Sequence, residues 1–492
     1  MTDPDTLGVV GAGIMGAGIA QTAVAAGYRV ILSDTRPEAL AAAREGIRGR
    51  LARLVEKGQL AAEIVEALDA RLSTSEDLAS LRPAGVVIEA IVEDLGAKRA
   101  LFAALEAIVD DETILATNTS SLAVAAIARD CRRRDRVCGL HFFNPVPVMR
   151  LVEVIGAPAT APATLERATE TVVRFGKTPV RVKDSPGFLV NLCGRAYTTE
   201  ALHIVQEGAA TVEQVDTVMR DGWGFRMGPF ELLDLTGIDV NFPVTSHIWH
   251  GFQDDPRLKT TPLHESMFDA GLFGRKVGIG FHSYGGSPAK APEPPAAGEP
   301  VELRAFVPEP GAASNLRGLR LSEQDDGDSP ILLFPDGEDA TTAACRLGID
   351  AARAVAVDLS CRARGIVTVM KPPGTRRDGI AAVSAWLASQ SLRVVEIQDS
   401  PGFIAPRLLA MIANLGCEVA QIGLATPDDI DLAVRLGLNY PQGPLELAEL
   451  LGPTAVMRVL TGIAAVTGSD RYRPSLWLRR RAMLGLPIRT PG

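Results

Sequence analysis

The sequence predicts an α/β fold joined to an all-α region: an N-terminal Rossmann-type doubly wound sheet, a helical substrate domain, a degenerate Rossmann-like unit and a second helical domain. Three observations carry this. Short apolar runs alternate with helical stretches through the first part of the chain. A glycine-rich turn, Gly11-Ala12-Gly13-Ile14-Met15-Gly16, follows the first apolar run. A five-residue motif, Asp184-Ser185-Pro186-Gly187-Phe188, recurs as Asp399-Ser400-Pro401-Gly402-Phe403, an offset of 215.

Leu7 to Val10 reads as a buried strand, residues 14–26 as a small-residue helix, and Arg29 to Ser33 as a second strand ending at Asp34. That is a βαβ unit. Further strands are expected at Gly85 to Glu89, Thr113 to Ala116 and Val137 to Leu140, with a helix over 97–109. Near-continuous apolar strands between helices imply a parallel sheet covered on both faces. Val152 to Ile155 and Val180 to Lys183 extend it.

From Asp184 the pattern turns helical. Leu189 to Gln206 predicts one long helix, and Thr211-Val212-Glu213-Gln214 a capping-box start for the next. Residues 287–300 hold five prolines and read as a semi-rigid linker. Residues 301–398 read as a reduced α/β unit with strands at Ile331 to Phe334, Ala354 to Leu359, Ile366 to Met370 and Val394 to Ile397. No glycine-rich turn follows a first strand there, so no dinucleotide is expected in it. The repeat continues through Gly228-Pro229 and Gly443-Pro444, and through Glu231-Leu232 and Glu446-Leu447. The expected domains are therefore 1–183 (dinucleotide-binding), 184–286 (helical, substrate), 287–300 (linker), 301–398 (degenerate α/β) and 399–492 (second helical copy).

Composition sets limits. The 492 residues carry a net charge of −9, which disfavours a generic nucleic-acid surface. The run Arg132, Arg133, Arg134, Arg136 reads as a solvated loop or helix end. Six scattered cysteines without a CxxC pair argue for a reducing cytoplasm. The acidic N-terminus lacks the basic region of a signal peptide, and the glycines of residues 7–28 argue against a membrane span. His247 and His250 lack further ligands nearby in sequence, so no metal is expected.

The glycines fit a dinucleotide turn: Gly11 for the tight bend, Gly13 for approach of a pyrophosphate, Gly16 for helix–strand packing. Asp34, 23 residues after Gly11, suits ribose hydroxyls and favours NAD over NADP, although Arg36 lies close by. Alone, His141 beside Phe142 and Phe143 reads as a core residue. At the C-terminal end of a sheet strand, with Glu153 on the next strand to fix its tautomer, it suits a general base for alcohol oxidation.

The chain resembles the L-3-hydroxyacyl-CoA dehydrogenase family. The residues that carry the resemblance are Gly11 to Gln21, Glu89-Ala90-Ile91-Val92-Glu93, Thr117-Asn118-Thr119-Ser120-Ser121, His141-Phe142-Phe143-Asn144-Pro145-Val146-Pro147, Asp184 to Phe188 and Gly228 to Asp234. The tandem helical domain resembles the long bacterial form found among 3-hydroxybutyryl-CoA and phenylacetate-pathway dehydrogenases. The resemblance implies NAD-dependent oxidation of an (S)-3-hydroxyacyl-CoA, as in fatty acid β-oxidation. It implies His141 as base, Glu153 as its partner, Ser120 on the substrate hydroxyl and Asn191 on the substrate. It further implies Glu93, Lys98, Asn144 and Lys276 at the cofactor, and Lys57 at the coenzyme A phosphate. Arg50 stands where the family often has a small hydroxyl residue and adds charge for that phosphate. The family usually has Arg after Asn191; here Leu192 follows, and the nearest arginine is Arg195. In the repeat Pro406 replaces the counterpart of Asn191, so the second helical copy reads as structural, possessing neither base nor asparagine. A homo-oligomer is compatible with the sequence. Two alternatives use the same scaffold: a dehydrogenase of a free hydroxy or sugar acid, and a non-enzymatic dinucleotide-binding protein. Lys57 and Arg50 favour CoA over the first, and the Ser120, His141, Glu153, Asn191 set argues against the second.

Overall fold

The structure is a computed structural model describing residues 3–59, 61–66, 68–285, 301–309 and 316–491. The expected linker, 287–300, lies outside the described residues. The chain divides into two compact units, Met1–Asn191 with Gly423–Leu438, and Leu192–Ile422 with Asn439–Gly492.

The first unit is built on an eight-stranded sheet: β1 (Asp3–Val10), β2 (Arg29–Ser33), β3 (Leu72–Ser75), β4 (Ala84–Glu89), β5 (Ile114–Thr117), β6 (Val137–Phe142), β7 (Leu151–Gly156) and β8 (Thr178–Lys183), ordered 3-2-1-4-5-6-7-8. Residues alternate to the two faces, and both faces are buried, which is why β4, β5 and β6 are apolar almost throughout. Leu7, Val9, Leu32, Ile88 and Leu140 are among the side chains that fill one core. Helix α1 (Ile14–Ala25) is half Ala and Gly because it lies close against the sheet, and a Cβ on Gly16 would come within 1.8 Å of the Gly11 carbonyl oxygen. Helix α2 (Pro37–Glu56) buries Leu40, Ala43, Ile47 and Leu51, an i, i+3, i+7, i+11 stripe.

The structure departs from the sequence reading in four places. β3 is an edge strand, Leu-Ser-Thr-Ser, too polar to read as one. β7 runs antiparallel to β6, so the sheet is not wholly parallel. Arg136 is buried rather than solvated, and donates to the carbonyls of Asp110 and Thr113. The segment Gly423–Leu438, which the repeat groups with the second helical copy, belongs to the first unit. Its helix (Pro427–Leu438) packs on β7 and β8, and the Lys183 N–H donates to the Leu424 carbonyl at 2.9 Å.

In the second unit, helix α3 (Val190–Gln206, from Leu192 onward) and helix α4 (Ala405–Gln421) are counterparts in the repeat. Glu200, fully buried on α3, accepts from Arg407 Nε and Arg471 Nε, each at 2.6 Å. Arg407 also donates to Glu207 and Tyr472. The Thr211–Gln214 capping box forms as read. A six-stranded sheet follows: β9 (Leu303–Phe306), β10 (Leu319–Ser322), β11 (Ile331–Leu333), β12 (Ala354–Asp358), β13 (Ile366–Met370) and β14 (Arg393–Glu396), ordered 10-9-11-12-13-14. Its β12–β13 pair is antiparallel, as β6–β7 is.

Candidate active site

β6 and β7, apolar along the rest of their length, bring two polar side chains together. His141 is the register partner of Glu153, and His141 Nδ1 lies 2.6 Å from Glu153 Oε2. Both are buried, Glu153 completely. The other carboxylate oxygen, Oε1, accepts from the N–H groups of Leu189 (3.0 Å) and Val190 (2.8 Å), at the N-terminus of α3. A buried carboxylate needs such donors, and a helix N-terminus presents them with a favourable dipole. Phe188 makes the bend: its φ is +50°, strained for a non-glycine residue, and its ring centroid lies 5.7 Å from that of His141. Phe143 lies 4.5 Å from the imidazole on the same measure. The imidazole is thus oriented, with Nδ1 engaged by Glu153 and Nε2 left as the nitrogen available for chemistry.

Beyond β5 the chain turns through Thr119, Ser120 and Ser121. Glu93 Oε1 accepts from the Thr119 hydroxyl (2.5 Å), the Ser120 N–H (3.0 Å), and the Ser121 N–H (3.2 Å) and hydroxyl (3.0 Å). Burial opposes the Glu93 charge, but the Thr119 hydroxyl, the Lys98 ammonium and the Ser121 hydroxyl outweigh it and hold its carboxyl below the usual range. Asn191 Nδ2 donates to the Ser120 carbonyl at 3.4 Å. Ser120 and Asn191 therefore meet, at the same sheet edge as His141.

The glycine turn opens into a cleft of about 680 Å³, lined in part by Gly11, Gly13, Asp34, Ala90, Ile91 and Val92. Its backbone fits a dinucleotide. Gly11 has φ +104°, and a Cβ there would lie 2.5 Å from the Ala90 carbonyl oxygen. A Cβ on Gly13 would meet nothing, so bare backbone faces the cleft, and no side chain caps α1 there. Asp34 closes β2, with Oδ2 accepting from Ala12 N–H (2.8 Å) and Oδ1 from Arg36 N–H (3.0 Å) and Nε (3.3 Å). Burial works against its charge, and these bonds to Ala12 and Arg36 keep its carboxyl below the usual range. Arg36 thus turns back onto the acid.

A second, largely apolar pocket of about 320 Å³ is lined by Gly18, Gln21, Arg50, Arg53, Asn144 and Pro145, among others. Arg50 Nε donates to Gln21 Oε1 at 2.6 Å. Burial, then the neighbouring Arg53, lowers the Arg50 pKa. Lys57 caps the C-terminal end of α2 and is exposed, outside the lining of this pocket. Asn144, which precedes Pro145, is exposed there too. Lys98 is 1 % exposed and bound to Glu89 and Glu93. Lys276 lies in the second unit, paired with Asp239.

Comparison with known proteins decides the family. The model of the 3-hydroxyacyl-CoA dehydrogenase NAD binding domain matches residues 6–185, and that of the C-terminal domain matches twice, at 187–284 and 402–490. A 3-hydroxyadipyl-CoA dehydrogenase of Escherichia coli K12 is 38% identical over 98% of each chain. The human mitochondrial hydroxyacyl-coenzyme A dehydrogenase is 41% identical over 56% of this chain and 90% of its own length. A crystal structure of 3-hydroxybutyryl-CoA dehydrogenase from E. coli K12 superposes with a TM-score of 0.86 at 37% identity, covering 98% of this chain and 99% of that one. The chain belongs to the 3-hydroxyacyl-CoA dehydrogenase family. It is an NAD-dependent oxidoreductase acting on a CoA ester.

Placed in this dehydrogenase frame, the two C-terminal-domain matches start 215 residues apart, at 187 and 402, the offset that the repeat shows. Sequence reading missed two polar residues of the site. Asn118 Oδ1 accepts from the Phe142 N–H at 2.8 Å and ties the His141 strand to β5. Glu89, fully buried at the end of β4, receives Lys98 and the Thr117 hydroxyl. An ionisable residue closing a wholly apolar strand was the available signal, since it demands a buried partner.

Proposed function

We propose that this dehydrogenase oxidises a short-chain or dicarboxylyl (S)-3-hydroxyacyl-CoA, of the 3-hydroxybutyryl or 3-hydroxyadipyl type, to the 3-oxoacyl-CoA. The observation that carries the proposal is the buried His141–Glu153 pair at the end of β6. NAD held at Gly11, Gly13 and Asp34 would supply the acceptor for the hydride that leaves C3. His141 Nε2 takes the hydroxyl proton as the C3 carbonyl forms. Glu153 keeps Nδ1 protonated and balances the imidazolium. The Ser120 hydroxyl orients the substrate hydroxyl, and Asn191 braces the Ser120 turn and the bound acyl group. Gly11, Gly13 and Gly16 shape the pyrophosphate cradle, with Glu93 and Asn144 near the cofactor. Lys276 is a further cofactor contact by the same family resemblance. Arg50, with Lys57, attracts the phosphates of coenzyme A.

The full-length likeness to E. coli dehydrogenases named for adipyl and butyryl substrates supports the acyl class. No single helix among the described residues is long and apolar enough to cross a membrane. The six cysteines form no disulfide with one another, in keeping with the reducing cytoplasm expected from the sequence. A self-association through copies of this chain fits the family scaffold. The test is an initial-rate panel of C4, C6, C10 and dicarboxylyl 3-hydroxyacyl-CoAs with NAD and with NADP. NADH formation fastest with C4 or the dicarboxylyl substrate is expected. Faster turnover of C10, or of a free hydroxy acid, would overturn the assignment.

A further inference from the structure

We propose that His282 is a positioning residue for the cofactor: its ring, clasped to the buried Asp216, locks the segment Gly274–Tyr284 on which Lys276 stands. The proposal rests on the cofactor reading of Lys276 above, and gives His282 no contact of its own with the cofactor.

Two buried carboxylates hold the segment to the helices before it. Asp216, on the helix Val212–Thr217, accepts from the Phe230 N–H at 2.9 Å and the Glu231 N–H at 3.2 Å, and pairs with His282 Nε2 at 2.7 Å. Asp234, on the helix Pro229–Thr236, accepts from the Phe281 N–H (2.9 Å), the His282 N–H (2.8 Å) and the Tyr284 hydroxyl (3.0 Å). The segment lies backbone-close on Asp234: a Cβ on Gly280 would stand 2.1 Å from Asp234 Oδ1, and one on Gly274 2.3 Å from the Asp234 carbonyl oxygen. It then closes on itself. The Gly274 N–H donates to the Ile279 carbonyl, and the Tyr284 N–H to the Gly278 carbonyl, each at 2.9 Å. These bonds frame the turn Arg275–Val277, so Lys276 is held only as firmly as the two ends of that turn.

The charged and titratable groups around the clasp, among the described residues, are Asp216 and Glu213 on one helix, Asp234 and Glu231 on the next, and Arg275 and Tyr284 on the segment itself. His282 alone among them titrates close to neutral pH. The bond to Asp216, with the Asp216, Asp234 and Glu213 charges, lifts the ring above its ordinary pKa in spite of its partial burial. Burial pushes the Asp216 carboxyl up, and its bonds from His282 and the Phe230 N–H offset only part of that. Asp216 therefore needs the imidazolium; a neutral ring still donates one N–H but brings no balancing charge. Because the folded pKa of His282 is raised, the pairing is fully present below the ordinary imidazole range and is lost as pH rises through the raised value.

The second helical copy has the catch without the ring. Glu449 stands 215 residues after Asp234, and its Oε2 accepts from the Ile488 N–H at 2.7 Å. Residues 283–492 contain no histidine. A carboxylate that catches the following segment thus belongs to the repeat, and the imidazole is an addition in the copy that carries Lys276.

The test is the NADH affinity of the full chain, read by fluorescence without acyl-CoA from about pH 6 to about pH 8.5. Every protein compared, the parent included, carries His141→Gln, so that the base proposed above does not titrate in the same range. The parent affinity should fall by at least about threefold as pH rises. His282→Gln should hold it at the parent's high-pH level throughout. His282→Lys, which keeps its charge, should hold it near the low-pH level, and decides the matter alone if His282→Gln does not fold. Lys276→Met should weaken binding at every pH and flatten the profile. A flat parent profile, or one that both His282 variants reproduce while Lys276→Met still weakens binding, would overturn the proposal. A Lys276→Met protein that binds NADH as the parent does would defeat the reading of Lys276 and the proposal with it. Binding is read without turnover, so a wild-type protein inactive on every 3-hydroxyacyl-CoA would defeat the functional reading and leave this measurement standing.

Discussion

The two sheets share a frame and differ in what they place on it. In the first, β6 and β7 pair antiparallel with His141 opposite Glu153; in the second, β12 and β13 pair antiparallel with Asp358 opposite Thr368. Asp184 accepts from the N–H groups of Val124 and Ala125, and Asp399 does the same for Ala340 and Thr341. Phe188 and Phe403 both hold a left-handed backbone, φ +50° and +54°. The cap and the strained bend are thus features of the frame, since they persist where there is no base. The chemistry depends on a few further groups. Among the described residues Asp358 binds only its neighbour Ser360, and Thr368 Oγ1 is buried with no partner. The positions that form a dyad in one sheet stay separate in the other.

That contrast can be broken most sharply at Glu153. Glu153→Gln keeps the shape and removes the charge that balances imidazolium, and kcat should fall by on the order of 10³-fold in steady-state assays. Arg407 marks the same asymmetry in the helices: the first copy has Leu192 at the equivalent position. Arg407→Leu leaves Glu207 without its guanidinium and Glu200 with Arg471 and the Tyr472 hydroxyl, and should cost about 3–5 kcal/mol in denaturant unfolding. The smallest effect is expected at Asp358, whose burial pushes its carboxyl up to about 6. With a folded pKa above the unfolded value near 3.9, the folded state binds the proton more tightly. Stability from this group is full below about pH 4 and is lost as pH rises through about 6, by roughly 2–3 kcal/mol. Asp358→Asn should abolish that slope in urea unfolding measured at pH 4 and pH 7.

Much of this was legible in the residues because buried parallel strands declare themselves. Arg29–Ser33 and Ile366–Met370 form strands with the bounds read from their apolar runs. The glycine turn and Asp34 sit in register because each needs a particular backbone or charge. Strands at or beside a sheet edge gave no such signal: the edges β3 and β10, and β9 next to β10, are short and partly polar, with one or both faces open. Strand direction is set by pairing across the sheet, so the antiparallel β7 could not be read from β7 itself. The partners of Glu153 were half visible: His141 follows from the motif, but the Leu189 and Val190 amides depend on the Phe188 bend. Nor does local sequence show that Gly423–Leu438 packs on β7 and β8, because its apolar face fits any apolar surface.

The central claim is that His141 is the base of the reaction and Glu153 its fixed partner. His141→Gln, assayed for NADH formation from (S)-3-hydroxybutyryl-CoA and 3-hydroxyadipyl-CoA beside NADH binding, tests it most directly. The account predicts a kcat lower by at least about 10³-fold, with NADH affinity within about threefold of the parent. Turnover within about tenfold of the parent would contradict it.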